Sequence, residues 1–168
     1  MRDRMMLGMT AGLLANVPKV LVGHAAKARR MASTTHREIA AGMFMDSTMV
    51  NMPAGMMLGA VADFALASLY GVLATFALQR VGRDYWPIKG AMLGYALWTF
   101  GIGLMSRLGA TKVYPLSPQT NWVLLGNHVL WGTLTAGLIR HLGDGVFSDQ
   151  PKRKLNLPRR LRRHALRR

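Results

Sequence analysis

Between Gly59 and Leu78 the chain runs for 20 residues with one charge, Asp63. An apolar run of that length matches the ~30 Å hydrocarbon thickness of a bilayer. An acid inside such a run is costly and calls for a partner or a purpose. This run limits the chain's fold more than any other feature.

Three further runs share its character. The four predicted spans cover about 5–23, 59–80, 87–107 and 122–141. Pro18 and Lys19 interrupt the first. Lys89 lies near the start of the third, and no charge follows from Gly90 to Ser106. In the fourth, from Trp122 to Ile139, only His128 is titratable near neutrality. The rival is a soluble all-α protein with a buried core. The first run also has a signal-peptide reading, with Arg2 and Arg4, an apolar core, and Ala26-Lys27-Ala28 as a cleavage site.

The chain is 51% hydrophobic yet carries a formal net charge of +15, because apolar and basic residues are segregated. Nine of its 22 Lys and Arg residues lie between Lys152 and Arg168. The expected organisation is a transmembrane domain over 1–142 and a basic cytoplasmic tail over 143–168. Cysteine is absent, which excludes disulfides, thiolate metal sites and cysteine nucleophiles.

Lys and Arg in the flanks set the orientation. With both termini cytoplasmic, the inside holds Arg2, Arg4, Arg80, Arg83, Lys89, Arg140 and the tail, 15 cations against six outside. The outer six are Lys27, Arg29, Arg30, Arg37, Arg107 and Lys112. Tyr85-Trp86 and Trp122 stand at span boundaries, as interfacial anchors do.

The first outer connection, His24 to Leu58, is too long for a plain linker. Thr35-His36-Arg37-Glu38 has the capping-box pattern and predicts an interfacial helix over about 36–52. On such a helix Met45, Met49, Met52 and Met56 would share one face. Thioethers suit Cu(I), but flexible apolar packing is the plainer reading. No metal or cofactor is otherwise expected.

Gly8-xxx-Gly12 and Gly90-xxx-Gly94 allow close helix approach in the first and third spans. Tyr70-Gly71-Val72-Leu73 and Trp131-Gly132-Thr133-Leu134 place Gly71 and Gly132 in the second and fourth. Together they point to a four-helix bundle built from two two-helix repeats. In that topology Lys19, Asp63 and His128 fall within about 6–9 Å of the outer boundary at 1.5 Å per residue. Asn127 adjoins His128. A Lys19–Asp63 ion pair with His128 near it is expected, either fixing helix register or forming an ion or proton site.

The tail residues Lys152, Arg153, Lys154, Arg159, Arg160, Arg162, Arg163, Arg167 and Arg168 suit anionic lipid headgroups. Basic runs also bind nucleic acid, but no aromatic residue interleaves these, which disfavours base stacking.

Ala11 to Lys19 follows the pattern Ala-Gly-Leu-x-Ala-Asn-x-Pro-Lys, and Thr35 to Gly42 the pattern Thr-x-x-x-Ile-Ala-Ala-Gly. With Tyr70-Gly71 and Trp131-Gly132, these features resemble a group of small, uncharacterised four-span membrane proteins of Gram-positive spore-forming bacteria. The likeness covers Met5 to Leu142. It implies a bacterial plasma-membrane location and a four-helix bundle, and it assigns no site. The expected function is non-enzymatic: a structural or assembly component that pairs with itself or with another membrane protein. The alternatives are a small ion- or proton-coupled transporter or channel using Lys19, Asp63 and His128, and a Met-rich Cu(I)-binding membrane protein.

Overall fold

The computed structural model describes residues 3–147. The basic tail from Lys152 to Arg168, read above as a lipid-contacting segment, and Arg2 lie outside them. The described residues form α-helices α1 (Arg4–Ala28), α2 (His36–Ala41), α3 (Pro53–Val81), α4 (Trp86–Trp98), α5 (Pro118–Leu142) and the short α6 (Asp144–Phe147). A π-helical segment, Thr99–Met105, continues α4. No strand occurs among the described residues.

Four helices are long and apolar enough to cross a membrane: α1, α3, α4 with its π segment, and α5, of 25, 29, 20 and 25 residues. At 1.5 Å per residue the α-helical ones reach about 38–44 Å, more than the ~30 Å required. Their ends are chemically marked. Asp3 accepts the Met6 N–H at the start of α1, and Ser117 accepts the Thr120 N–H at the start of α5. Pro53 occupies the first turn of α3, where its missing N–H costs nothing. It therefore opens this helix, which begins six residues before the predicted run.

Helix α1 packs on α3 and on α5, and α5 packs on α4. Small residues make these contacts close. A Cβ on Gly71 would overlap the Gly8 carbonyl and the Gly12 backbone. One on Gly132 would overlap the Gly90 carbonyl and the Gly94 backbone. Two helix pairs thus meet backbone to backbone, α1 with α3 and α4 with α5, as small-xxx-small faces permit. Trp131 Nε1 donates to the Gly12 carbonyl at 3.1 Å and ties α5 to α1. The outward faces carry Leu21, Met57, Val61, Leu69, Ile88 and Met92, all exposed.

The segment after α2 corrects the expectation of a helix over about 36–52. Helix α2 ends at Ala41, and turns follow through Asn51. Gly42 lies against Thr111 and Val113, and its carbonyl accepts the Lys112 N–H at 2.8 Å. That tie diverts the chain, and Asp46-Ser47-Thr48 then favours turns over helix. Met45, Met49, Met52 and Met56 consequently share no helical face. Met56 lies in α3, and the other three lie in the turns before it.

Candidate functional site

Lys19 and Asp63 meet across the α1–α3 contact. Lys19 Nζ donates to Asp63 Oδ1 at 2.7 Å, and Asn16 Nδ2 donates to Oδ2 at 3.0 Å. Asn16 precedes Lys19 by three residues, so both sit on one helix face. The side chains of the pair are only 7% and 9% exposed. Water does little to screen a pair so enclosed, and each carboxylate oxygen has its donor.

His128 reaches the same region from α5, and His36 from α2. His36 Nε2 lies 3.0 Å from His128 Nδ1, and that Nδ1 lies 2.9 Å from the Leu124 carbonyl. A carbonyl only accepts, so the hydrogen-bond pattern assigns the His128 proton to Nδ1. His36 Nε2 then accepts, and the His36 proton sits on Nδ1. Burial holds the His36 imidazole well below its ordinary 6.5, and the Lys19 ammonium and His128 beside it act in the same direction. His36 is therefore neutral at pH 7.

A short loop and a buried acid hold α2 against α1. Glu38 forms an ion pair with Lys27, accepts the Thr34 hydroxyl at 2.7 Å, and accepts the Thr35 N–H at 3.0 Å. Burial alone would raise the Glu38 carboxyl. The hydrogen bonds from Lys27, Thr34 and Thr35, with the Lys27 charge, outweigh it and leave the group below its ordinary 4.5. Helix α2, and His36 with it, is thereby fixed over the end of α1.

The ion pair and the two histidines line one cavity of about 130 Å³. Lys19, Asp63, His36 and His128 form part of its wall, together with Ser106 and Thr111. The rest, apart from Tyr70 and Trp131, is apolar and includes Ile39, Leu66, Leu97 and Ile102. The π segment supplies Gly101, Ile102 and Met105. A Cβ on Gly101 would meet nothing within 4 Å. Single π turns recur at functional sites because they re-aim side chains and break regular packing.

The four residues grouped by depth in the sequence are not all brought together. Lys19, Asp63 and His128 share the cavity. Asn127 does not line it: it is buried, points toward Gly23 of α1, and its Nδ2 finds no partner among the described residues. Sequence reasoning missed His36 and Ser106 in the cavity wall, and Asn16 as the second donor to Asp63. The Asn16–Lys19 spacing carried a signal, since two polar residues three apart on an apolar helix share a face. Among the described residues no group of three or more His, Asp or Glu side chains could hold a metal ion. Compared with protein families, curated proteins and solved structures, the chain matches none.

Proposed function

We propose that the chain is a small multi-pass membrane carrier. It would bind a small solute in the cavity beside Lys19 and Asp63 and link its movement to a proton held by the histidine pair. One observation carries this reading: ionisable side chains from four separate helices, α1, α2, α3 and α5, converge on one cavity inside an apolar protein. A pair that only fixed helix register would need no such room. Intramembrane ionisable groups beside a cavity are the usual marks of a pathway. The setting proposed for it is a bacterial plasma membrane with both termini cytoplasmic. The four spans would form a bundle of two two-helix repeats, each closed by its glycine face.

The test is a panel of small solutes offered to liposomes containing the purified protein, with internal pH as readout. Solute-dependent proton movement is expected with the parent protein and not with folded Gly101→Leu, which places a side chain in the cavity. Identical traces for the two proteins would sink the carrier reading.

A second reading, assembly with other copies or another membrane protein, has support in α4. Only 17% of its apolar window is buried, against 33–44% for the other three spans. Such a face is available to another helix. Cysteine pairs introduced at Met92 would cross-link between copies if that face assembles them, and would stay uncross-linked in lipid if it does not.

A further inference from the structure

The cavity wall keeps unused hydrogen-bonding capacity. Each Asp63 oxygen already has one donor, from Lys19 or from Asn16. Lys19 has three N–H donors and uses one on Asp63. Ser106 is 3% exposed, and its hydroxyl has no partner among the described residues. The Thr111 hydroxyl already donates to the Ile39 carbonyl at 2.9 Å. The strongest unused donors on the wall are therefore those of an ammonium. Much of the remaining lining is apolar and includes Ile39, Leu66, Leu97 and Ile102.

We propose that the cavity binds a small monocarboxylate, its carboxylate toward Lys19 and Ser106 and its apolar body against Ile39, Leu66, Leu97 and Ile102. The inference rests on the carrier reading and names the class of solute. Size agrees: a cavity of roughly 150 Å³ holds benzene, and this one measures about 130 Å³. A carboxylate also completes the charge balance. Lys19 and Asp63 cancel each other, so a bare anion would leave net negative charge in an apolar site, which is costly. The neutral acid brings its own proton. On binding, the acid O–H bond breaks and an N–H bond forms at His128 Nε2, the ring nitrogen left without a proton by the Nδ1 assignment. The ionisable groups that share the cavity wall with His128 are Lys19 from α1, His36 from α2, and Asp63 and Tyr70 from α3. The α4–π segment contributes no ionisable side chain to the described lining. The bound state, carboxylate plus imidazolium, is neutral overall.

Full-length protein in lipid nanodiscs tests this by equilibrium binding of three probes of one shape: benzoate, neutral benzamide and cationic benzylammonium. Saturable benzoate binding is expected, tighter than benzamide by about tenfold or more, as a charge-assisted contact requires. Benzylammonium should not compete. Ser106→Ala should weaken benzoate several-fold and leave benzamide nearly unchanged, and Gly101→Leu should abolish both. Lys19→Met strands Asp63, so Lys19→Met/Asp63→Asn is measured as well. It should remove the preference for benzoate over benzamide. Equal affinity for benzoate and benzamide, or preference for benzylammonium, would overturn the carboxylate assignment. The carrier reading survives either result provided Gly101→Leu still blocks the bound probe. Absence of saturable benzoate binding to folded protein also overturns the assignment. If no solute of the liposome panel then moves protons through the cavity, the carrier reading falls with it.

Discussion

Replacing Asp63 tests how strongly the buried pair holds α1 to α3. The carboxylate accepts at 2.7 Å from Lys19 and at 3.0 Å from Asn16. Hydrogen bonds to a charged group are worth about 1.5–3 kcal/mol each. Removing one partner of a buried pair costs about 3–5 kcal/mol, because the other is left charged and unpaired. The side chains are 7% and 9% exposed, so solvent screening reduces this little. Asparagine and leucine should differ at this position. The asparagine side chain would keep one acceptor for Lys19, and its new NH2 would face the Asn16 amide. Asn16 Oδ1 is buried and unpartnered, so a flip of that amide supplies an acceptor. Asp63→Asn should therefore cost about 3 kcal/mol, mostly lost charge, and Asp63→Leu about 5 kcal/mol, with both arms gone. Lys19→Met/Asp63→Leu should recover to within about 2 kcal/mol of the parent, since no charge remains stranded. Reversible unfolding in mixed micelles, arranged as a double-mutant cycle, measures these values. If the double variant costs the sum of the two singles, Lys19 and Asp63 do not stabilise each other and the reasoning fails. If asparagine and leucine cost the same, neither hydrogen-bonding arm contributes beyond the charge.

Four further outcomes are expected. Gly71→Leu should separate α1 from α3 and prevent recovery of folded protein. Gly126→Ala, where a Cβ meets nothing within 4 Å, should raise stability by up to about 1 kcal/mol through helix propensity; thermal melting in detergent compares it with the parent. Because the Glu38 carboxyl lies below its ordinary 4.5, its contribution is present above that pH and fades as pH falls through the folded value. The melting difference between parent and Glu38→Gln should thus be full at pH 7 and shrink as pH falls below 4.5; a constant difference would show that the Glu38 charge is not its source. Reporter fusions after Arg168 and within Met31 to Thr34 should give opposite-side signals, and same-side signals would refute the four-span topology.

Hydropathy marks the four long helices because the bilayer imposes a length and an absence of charge that few other environments impose together. Helix ends are less legible. Pro53 reads as a barrier from sequence and serves as a first-turn residue, which is the same steric property seen from the other side. The turn after Ala41 depends on the Gly42 carbonyl meeting the Lys112 N–H, a contact between remote segments that local pattern does not encode. Within the cavity, equal depth along antiparallel helices suggests Lys19, Asp63 and His128 as neighbours. His36 has no such guide, since it lies in a connection whose fold-back is fixed by Lys27 and Glu38. The π segment carries no evident sequence mark beyond Gly101 and Gly103.

On the two-repeat reading, the offset that carries Gly8 onto Gly90 carries Lys19 onto Gly101. The offset that carries Gly71 onto Gly132 carries Asp63 onto Leu124 and Ala67 onto His128. The first half would then hold an ion pair where the second holds a glycine and a leucine, and the second a histidine where the first holds an alanine. Gly101, Ala67, Lys19, Asp63 and His128 all line the cavity. Two identical halves would bring a second lysine to the wall at position 101 and fill it. With glycine there, that reading leaves one ammonium with open space beside it. The cavity would then follow from divergence between halves that share a packing face. Gly101→Lys with Leu124→Asp would restore the matching residues, and the loss of bound benzoate in that variant would tie the cavity to the asymmetry.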